Sequence, residues 1–258
     1  LYKAIIFYWR ASTLNEHTGE QFGTYRLLQH LGSGGFADVY LGEHIYLKTQ
    51  AAVKVLQTQL LDEQQQQSFL REAQVIAQLN HPHIVQVLDF GVENNIPFLV
   101  MNYAPGGNLH QRHPQGSQVP ADRVLVYVRQ VALALQYTHE QKCIHRDIKP
   151  ENLLLDSDGT LLLSDFSLSV IAYSSQAQAL QDQVPTITYM APEQIRGKPR
   201  PASDQYALAA LVYEWLSGTP LFEAPAYLEV AKMHLQVRAP LLSQKMPMLA
   251  PAVTTVLN

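Results

Sequence analysis

Between residues 25 and 101 the chain alternates short apolar runs with glycine, proline and asparagine breaks, a pattern that predicts strands at 25–31, 39–43, 51–56, 84–90 and 98–101. A small antiparallel sheet follows. One helix interrupts these runs at residues 64–79, where Phe69, Ala73, Ile76 and then Leu79 or Asn80 recur at helical spacing. Glu72 falls within that inward stripe, and a carboxylate facing a core needs a partner. The four glutamines at 64–67 read as the solvated first turn of this helix.

Past Ala104-Pro105-Gly106-Gly107, which reads as a hinge or turn, the pattern becomes helical. Residues 121–139 place Val124, Val128, Val131 and Leu135 on one face. Two apolar runs, 153–155 and 161–163, flank Asp156-Ser157-Asp158-Gly159 as a hairpin does. Residues 203–217 open on the capping-type pair Ser203 and Asp204, run almost wholly apolar from Tyr206 to Leu216, and meet Gly218. A helix apolar all round is buried. Residues 1–24 show no clear period and read as an extension of unknown role, followed by one lobe at 25–103 and a second at 104–258.

Composition narrows the chemistry. The 258 residues suffice for one large domain or two lobes, and 47% of them are apolar. The formal net charge of −4 comes without a sustained basic run, which argues against nucleic acid or an anionic membrane as the main ligand and leaves a nucleotide open. The single cysteine, Cys143, excludes an intrachain disulfide and a thiolate zinc cluster, fits a reducing cytosol, and reads as a buried structural thiol. No apolar run reaches the roughly 18–20 residues that span a bilayer.

Candidate chemistry concentrates at residues 145–152, H-R-D-I-K-P-E-N, which falls between a predicted helix and strand. Asp147 can accept a hydroxyl proton, Lys149 can neutralise moving phosphate charge, and Asn152 can offer a carbonyl oxygen to Mg²⁺. Upstream, L-G-S-G-G-F-A-D-V at 31–39 lies between two predicted strands, and Gly32 and Gly34 permit close backbone approach to phosphate oxygens. The third expected glycine is Ala37. Lys54 stands mid-strand between Val53 and Val55, eighteen residues before Glu72. An ion pair between Lys54 and Glu72 would satisfy the acid and hold the ammonium near phosphates. Asp165, in S-D-F-S after the second hairpin run, is placed to share Mg²⁺ with Asn152. T-I-T-Y-M-A-P-E at 186–193 closes a polar stretch without a regular period.

The ordered set of glycine loop, V-K, helix Glu, H-R-D-I-K-P-E-N, D-F-S and A-P-E resembles the protein kinase superfamily, above all the eukaryotic-like (Hanks-type) serine/threonine kinases of bacteria, over about residue 25 to the end. The resemblance implies an α+β, bilobal protein kinase fold, with a small antiparallel sheet lobe carrying one helix and a larger, mostly helical lobe. It implies ATP and Mg²⁺ as cofactors. By the same resemblance Lys54 binds the α- and β-phosphates and pairs with Glu72, Asp147 orients and deprotonates the hydroxyl, Lys149 steadies the γ-phosphate, and Asn152 and Asp165 hold Mg²⁺. Leu31, Val39, Ala52 and Leu154 match the adenine sandwich, Met101 the gatekeeper, Asn102 and Tyr103 the hinge, and Asn108 the ribose side. His145 and Asp204 match structural supports of the catalytic loop, and Lys149 with Thr186 favours a Ser/Thr acceptor over Tyr. The implied partners are a protein substrate and a dimer that phosphorylates itself, with no nucleic acid, in the cytoplasm or tethered to a membrane through regions outside this chain.

Several positions depart from the family pattern. Ser167 replaces the glycine of D-F-G, Pro185 a glycine before Thr186, Asn102 an acidic hinge residue, and Ala209 a glycine of the buried helix. In the family Arg146 receives a phosphate from the activation segment, and residues 176–185 carry no hydroxyl, which leaves Ser174, Ser175, Thr186 or Thr188 for that role. Glu193 pairs in the family with a late arginine. None follows Arg238, so the last helices of the second lobe are expected to be missing. The alternatives are a pseudokinase that binds nucleotide or partners as a scaffold, and a small-molecule phosphotransferase, against which Lys149 and A-P-E argue.

Overall fold

The sheet of the first unit follows from the period-two pattern of its strands. The computed structural model describes residues 17–166 and 187–245, and these group into two compact units, 17–79 with 86–103, and 80–85 with 104–166 and 187–245. Strands β1 (Gln21–Phe22), β2 (Tyr25–Ser33), β3 (Ala37–His44), β4 (Gln50–Leu56), β5 (Val87–Glu93) and β6 (Ile96–Met101) form one sheet in the order β1-β2-β3-β4-β6-β5, antiparallel throughout. In β4, Ala51, Val53 and Val55 are buried and enter a cluster with Phe22, Leu27, Tyr40 and Val100. Each such large apolar side chain contributes about 1.5–3 kcal/mol on burial. Ala52 and Lys54 therefore project from the other face.

Helix α1 (Glu63–Ala77) starts at Asp62, whose Oδ1 accepts the Gln65 N–H at 2.7 Å. It packs against β5 and β6, burying Phe69 and Ala73. Ile76 is half-buried, and Leu79, just past the helix end, completes the inward stripe. Two boundaries differ from expectation. Phe22, only 2% exposed, belongs to the core, because the turn at Gly23 folds β1 back onto β2. Ile84 is not in β5 but bridges to Leu163 within the second unit.

That second unit is mostly helical, with α2 (Leu109–Arg112), α3 (Ala121–Glu140), the hairpin of β7 (Leu153–Leu155) and β8 (Leu161–Leu163), α4 (Pro192–Ile195), α5 (Pro201–Ser217), α6 (Tyr227–Gln236) and α7 (Leu242–Lys245). Helix α3 packs on α5 and β8. Its buried stripe is Val124, Tyr127, Val131, Ala134, Leu135 and Thr138, so Tyr127 takes the inward place expected of half-buried Val128. Helix α5 is buried along eleven of its seventeen residues and stops at Gly218, whose φ of 75° suits glycine. It begins at Pro201, two residues before the expected cap. Ser203 lies in the first turn and reaches back to the Arg200 N–H at 3.0 Å, while Asp204 serves no cap. Among the described residues no helix is long and apolar enough to cross a membrane.

Candidate active site

The catalytic-type loop at 145–152 is held by backbone groups that hydrogen-bond to buried side chains. Asp204, 1% exposed on α5, accepts the His145 N–H on Oδ2 at 2.9 Å and the Arg146 N–H on Oδ1 at 2.8 Å. His139, at the end of α3, meets Asp204 Oδ2 through Nε2 at 2.7 Å. One carboxylate thus fixes two consecutive peptide groups, and it carries the strain of Arg146 at φ 69°.

His145 is fully buried. Its Nδ1 accepts the Asp147 N–H at 3.2 Å, and its Nε2 lies 2.8 Å from the Ser164 carbonyl oxygen, which can only accept. Those two bonds define the neutral Nε2–H tautomer. Burial pushes the imidazole below its ordinary pKa, outweighing the carboxylates of Asp204, Asp147 and Asp165. Phe166 closes over the ring edge-on at 4.6 Å between centroids.

This scaffold presents three groups together. The Lys149 ammonium stands 2.8 Å from Asp147 Oδ2, and the Asn152 amide nitrogen donates to the Asp147 backbone carbonyl at 2.8 Å and to Asp147 Oδ2 at 2.9 Å. Burial works against the Lys149 charge, yet Asp147, then Glu151 and Asp165, outweigh it and hold its pKa above the ordinary value. Asp147 Oδ1 is buried and has no hydrogen-bond partner among the described residues. With its nitrogen committed to Asp147, Asn152 turns Oδ1 to the other side. Its backbone carbonyl accepts both the Ser164 N–H at 2.9 Å and the Ser164 hydroxyl at 3.1 Å, which seats Asp165, at φ 61°, next to the asparagine. A carboxylate and an amide oxygen are the hard donors Mg²⁺ prefers, so this pair fits the metal that the motif implies.

The remaining expected residues fall within their own units. In the first, the register pairs Gly32 with Val39, Val39 with Lys54 and Lys54 with Leu99, while Ala52 pairs with Met101. Val39, Ala52, Lys54 and Met101 accordingly share the face opposite the apolar cluster, with Leu99 as an unexpected fifth member. Leu31 is half-buried near the start of the glycine loop. A methyl group added to Gly32 would meet nothing within 4 Å, so packing inside the sheet does not dictate glycine there. Ala37 is buried and pairs with Leu56, on the same face of the sheet as Val39 and Lys54. Glu72 is half-buried on α1. Asn102 is exposed and donates its N–H to the Gln86 carbonyl at 3.0 Å, and Tyr103 is half-buried.

In the second unit Asn108 and Leu154 form a β-bridge. Asn108 Oδ1 caps α2 by accepting the Gln111 N–H at 2.8 Å, leaving its amide nitrogen for other partners. Gly106 packs so closely on β7 that an added Cβ would lie 2.6 Å from the Leu155 carbonyl oxygen. Pattern reading missed Gln194, whose amide donates to the Arg146 carbonyl at 2.6 Å, together with His139 and Ser164. No spacing in the sequence marks them, since each acts on a residue distant in the chain or through the backbone. Glu193 accepts the Ser203 hydroxyl at 2.6 Å, and that bond lowers its pKa. Ser167, Ser174, Ser175, Pro185 and Thr186 lie outside the described residues.

Residues 25–251 match the protein kinase domain family. The chain is 33% identical over 220 residues to the serine/threonine-protein kinase PrkC of Bacillus subtilis, covering 84% of this chain and 34% of that protein. It is 36% identical over 244 residues to the serine/threonine-protein kinase PknF of Mycobacterium tuberculosis, with coverage of 90% and 51%. Aurora kinase B of Danio rerio is 36% identical over 212 residues, with coverage of 80% and 65%. The chain thus spans about a third to two thirds of the length of these relatives. The matches bear out the resemblance read from the motifs, and the sheet unit and helical unit bear out the fold class.

Proposed function

Because this chain belongs to the protein kinase family, we propose that it transfers the γ-phosphoryl group of ATP to serine or threonine hydroxyls of proteins. The observation that carries this reading is the asymmetry of Asp147, with Oδ2 held by Lys149 and Asn152 and Oδ1 buried without a partner among the described residues. That oxygen accepts the proton of an incoming hydroxyl as the hydroxyl oxygen attacks the γ-phosphorus and ADP departs. Lys149, kept charged by its carboxylate neighbours, stays beside the transferring group.

Lys54 binds the α- and β-phosphates, held by Glu72, and the Gly32 and Gly34 backbone covers the phosphates. Leu31, Val39, Ala52, Met101 and Leu154 enclose the adenine, Asn102 and Tyr103 meet its edge, and Asn108 faces the ribose. Asn152 Oδ1 and Asp165 hold Mg²⁺, which neutralises phosphate charge when bound. The reading includes a dimer in which one copy phosphorylates another and a cytoplasmic place for the kinase domain.

The test is incubation of the purified chain with Mg-ATP and myelin basic protein, with Asp147→Asn as control. Incorporated phosphate that falls by roughly 10³-fold or more in the variant supports the reading. A wild type that labels neither itself nor the acceptor overturns it.

A further inference from the structure

Behind the segment that leads into α4, a buried imidazole joins that segment to helices α5 and α6. His234 on α6 is 4% exposed. Its Nε2 lies 3.1 Å from the Thr188 carbonyl oxygen and its Nδ1 lies 2.7 Å from the Tyr206 hydroxyl of α5. A carbonyl only accepts, so Nε2 carries the proton and Nδ1 takes the phenol hydrogen. Phe222 packs edge-on against the ring at 4.9 Å and Tyr206 at 5.7 Å. Burial keeps the imidazole neutral by lowering its pKa, which matches this pattern of donor and acceptor.

Thr188 adjoins Tyr189, whose hydroxyl is bound to Glu214 of α5 at 2.7 Å. A few residues on, Gln194 holds the Arg146 carbonyl, one residue before Asp147. The segment 187–194 therefore meets the catalytic-type loop at its Gln194 end, one residue from the aspartate to which the kinase reading gives the acceptor hydroxyl. We infer that His234 is a positioning residue for the acceptor, fixing the Thr188 backbone so that the segment presents one preformed surface to the substrate polypeptide. This inference rests on the kinase reading above.

The experiment follows phosphorylation of myelin basic protein at varied acceptor concentration, with ATP hydrolysis in the absence of acceptor as reference, for wild type, His234→Phe, His234→Gln and Tyr206→Phe. Phenylalanine keeps the ring and removes both hydrogen bonds, and it raises the acceptor KM about tenfold while kcat and ATP hydrolysis stay within about twofold. Glutamine restores a donor and an acceptor and recovers most of that loss. Tyr206→Phe loosens the imidazole without deleting it and raises the acceptor KM about threefold, which carries the test if His234→Phe does not fold. An unchanged acceptor KM in the folded variants, a parallel fall in ATP hydrolysis, or no recovery with glutamine overturns the inference while the kinase reading stands. A wild type that hydrolyses ATP but labels no protein removes both.

Discussion

Helices α1 and α5 are close in length, at fifteen and seventeen residues, yet they are held in opposite ways. Helix α1 buries two residues, Phe69 and Ala73, and shows water a polar face that begins with its run of glutamines. Helix α5 buries eleven and has scarcely a polar face at all. Each carries one acidic residue of the candidate site, half-buried Glu72 on α1 and fully buried Asp204 on α5. The difference teaches that the two acids do different work. Asp204 is built into the fold, fixing peptide groups of the catalytic-type loop, whereas Glu72 sits half-buried on a helix that buries only two of its fifteen residues.

The sharpest break in this comparison comes from Asp204→Ala. It leaves the N–H groups of His145 and Arg146 and the His139 ring without their acceptor inside a buried site, at a cost of about 3–5 kcal/mol. Urea unfolding followed by circular dichroism measures it, and a loss below about 1 kcal/mol contradicts the role. A step down in size, Leu211→Ala on α5, where the side chain is fully buried, costs about 2–5 kcal/mol from lost transfer energy and the cavity. Its counterpart on the outer side of α1, Val75→Ala, removes a side chain that is 56% exposed and changes stability by about 0.5 kcal/mol or less. Comparable losses in both would erase the distinction between the helices.

The same contrast explains what could be read from the sequence. The apolar run from Tyr206 to Leu216 announces a buried helix, and the eight residues from His145 to Asn152 announce their chemistry, because local pattern and local spacing carry both signals. Local pattern makes Asp204 a helix cap, which is what an aspartate before an apolar run ordinarily is, and only the family resemblance marks it as a support of the catalytic loop. The structure turns it to a loop fifty-eight residues upstream, at Arg146, a choice that only tertiary packing makes. Phe22 hid for the same reason, since a two-residue strand has no period, and its burial depends on the sheet it joins. Gln194 and Ser164 act through backbone carbonyls, which have no residue identity to read.

Acid provides a milder way to separate the two units. His145 and His234 both lie in the helical unit, and burial depresses both below the ordinary imidazole value of 6.5. The unfolded chain binds protons at these positions before the folded one does, so their stabilising effect is complete above pH 6.5 and is lost as pH falls toward the depressed values, by up to about 1.4 kcal/mol per histidine per pH unit. Glu214 opposes them. Burial raises its pKa, so the folded state takes up its proton first and gains stability as pH drops through that raised value. Unfolding midpoints from neutral pH downward are therefore expected to fall, less steeply in His234→Gln and more steeply in Glu214→Gln. A flat profile in the wild type, or equal slopes in all three proteins, contradicts the assignment of the acid response to these buried groups.

The smallest change in stability belongs to Glu72→Gln. The substitution keeps the shape of a half-buried side chain on a helix with two buried anchors, and the expected cost is about 1 kcal/mol or less. If Glu72 holds Lys54 against the nucleotide phosphates, removing its charge slackens the lysine in the transition state and lowers kcat/KM by roughly 10- to 100-fold. Paired measurements of urea unfolding and phosphate transfer on one preparation decide the matter. A large loss of turnover with an intact fold sets Glu72, an acid that serves the reaction, apart from Asp204, an acid that serves the fold. Losses of fold and turnover in proportion would make α1 a structural helix like α5, and would remove the reason to treat its acid differently.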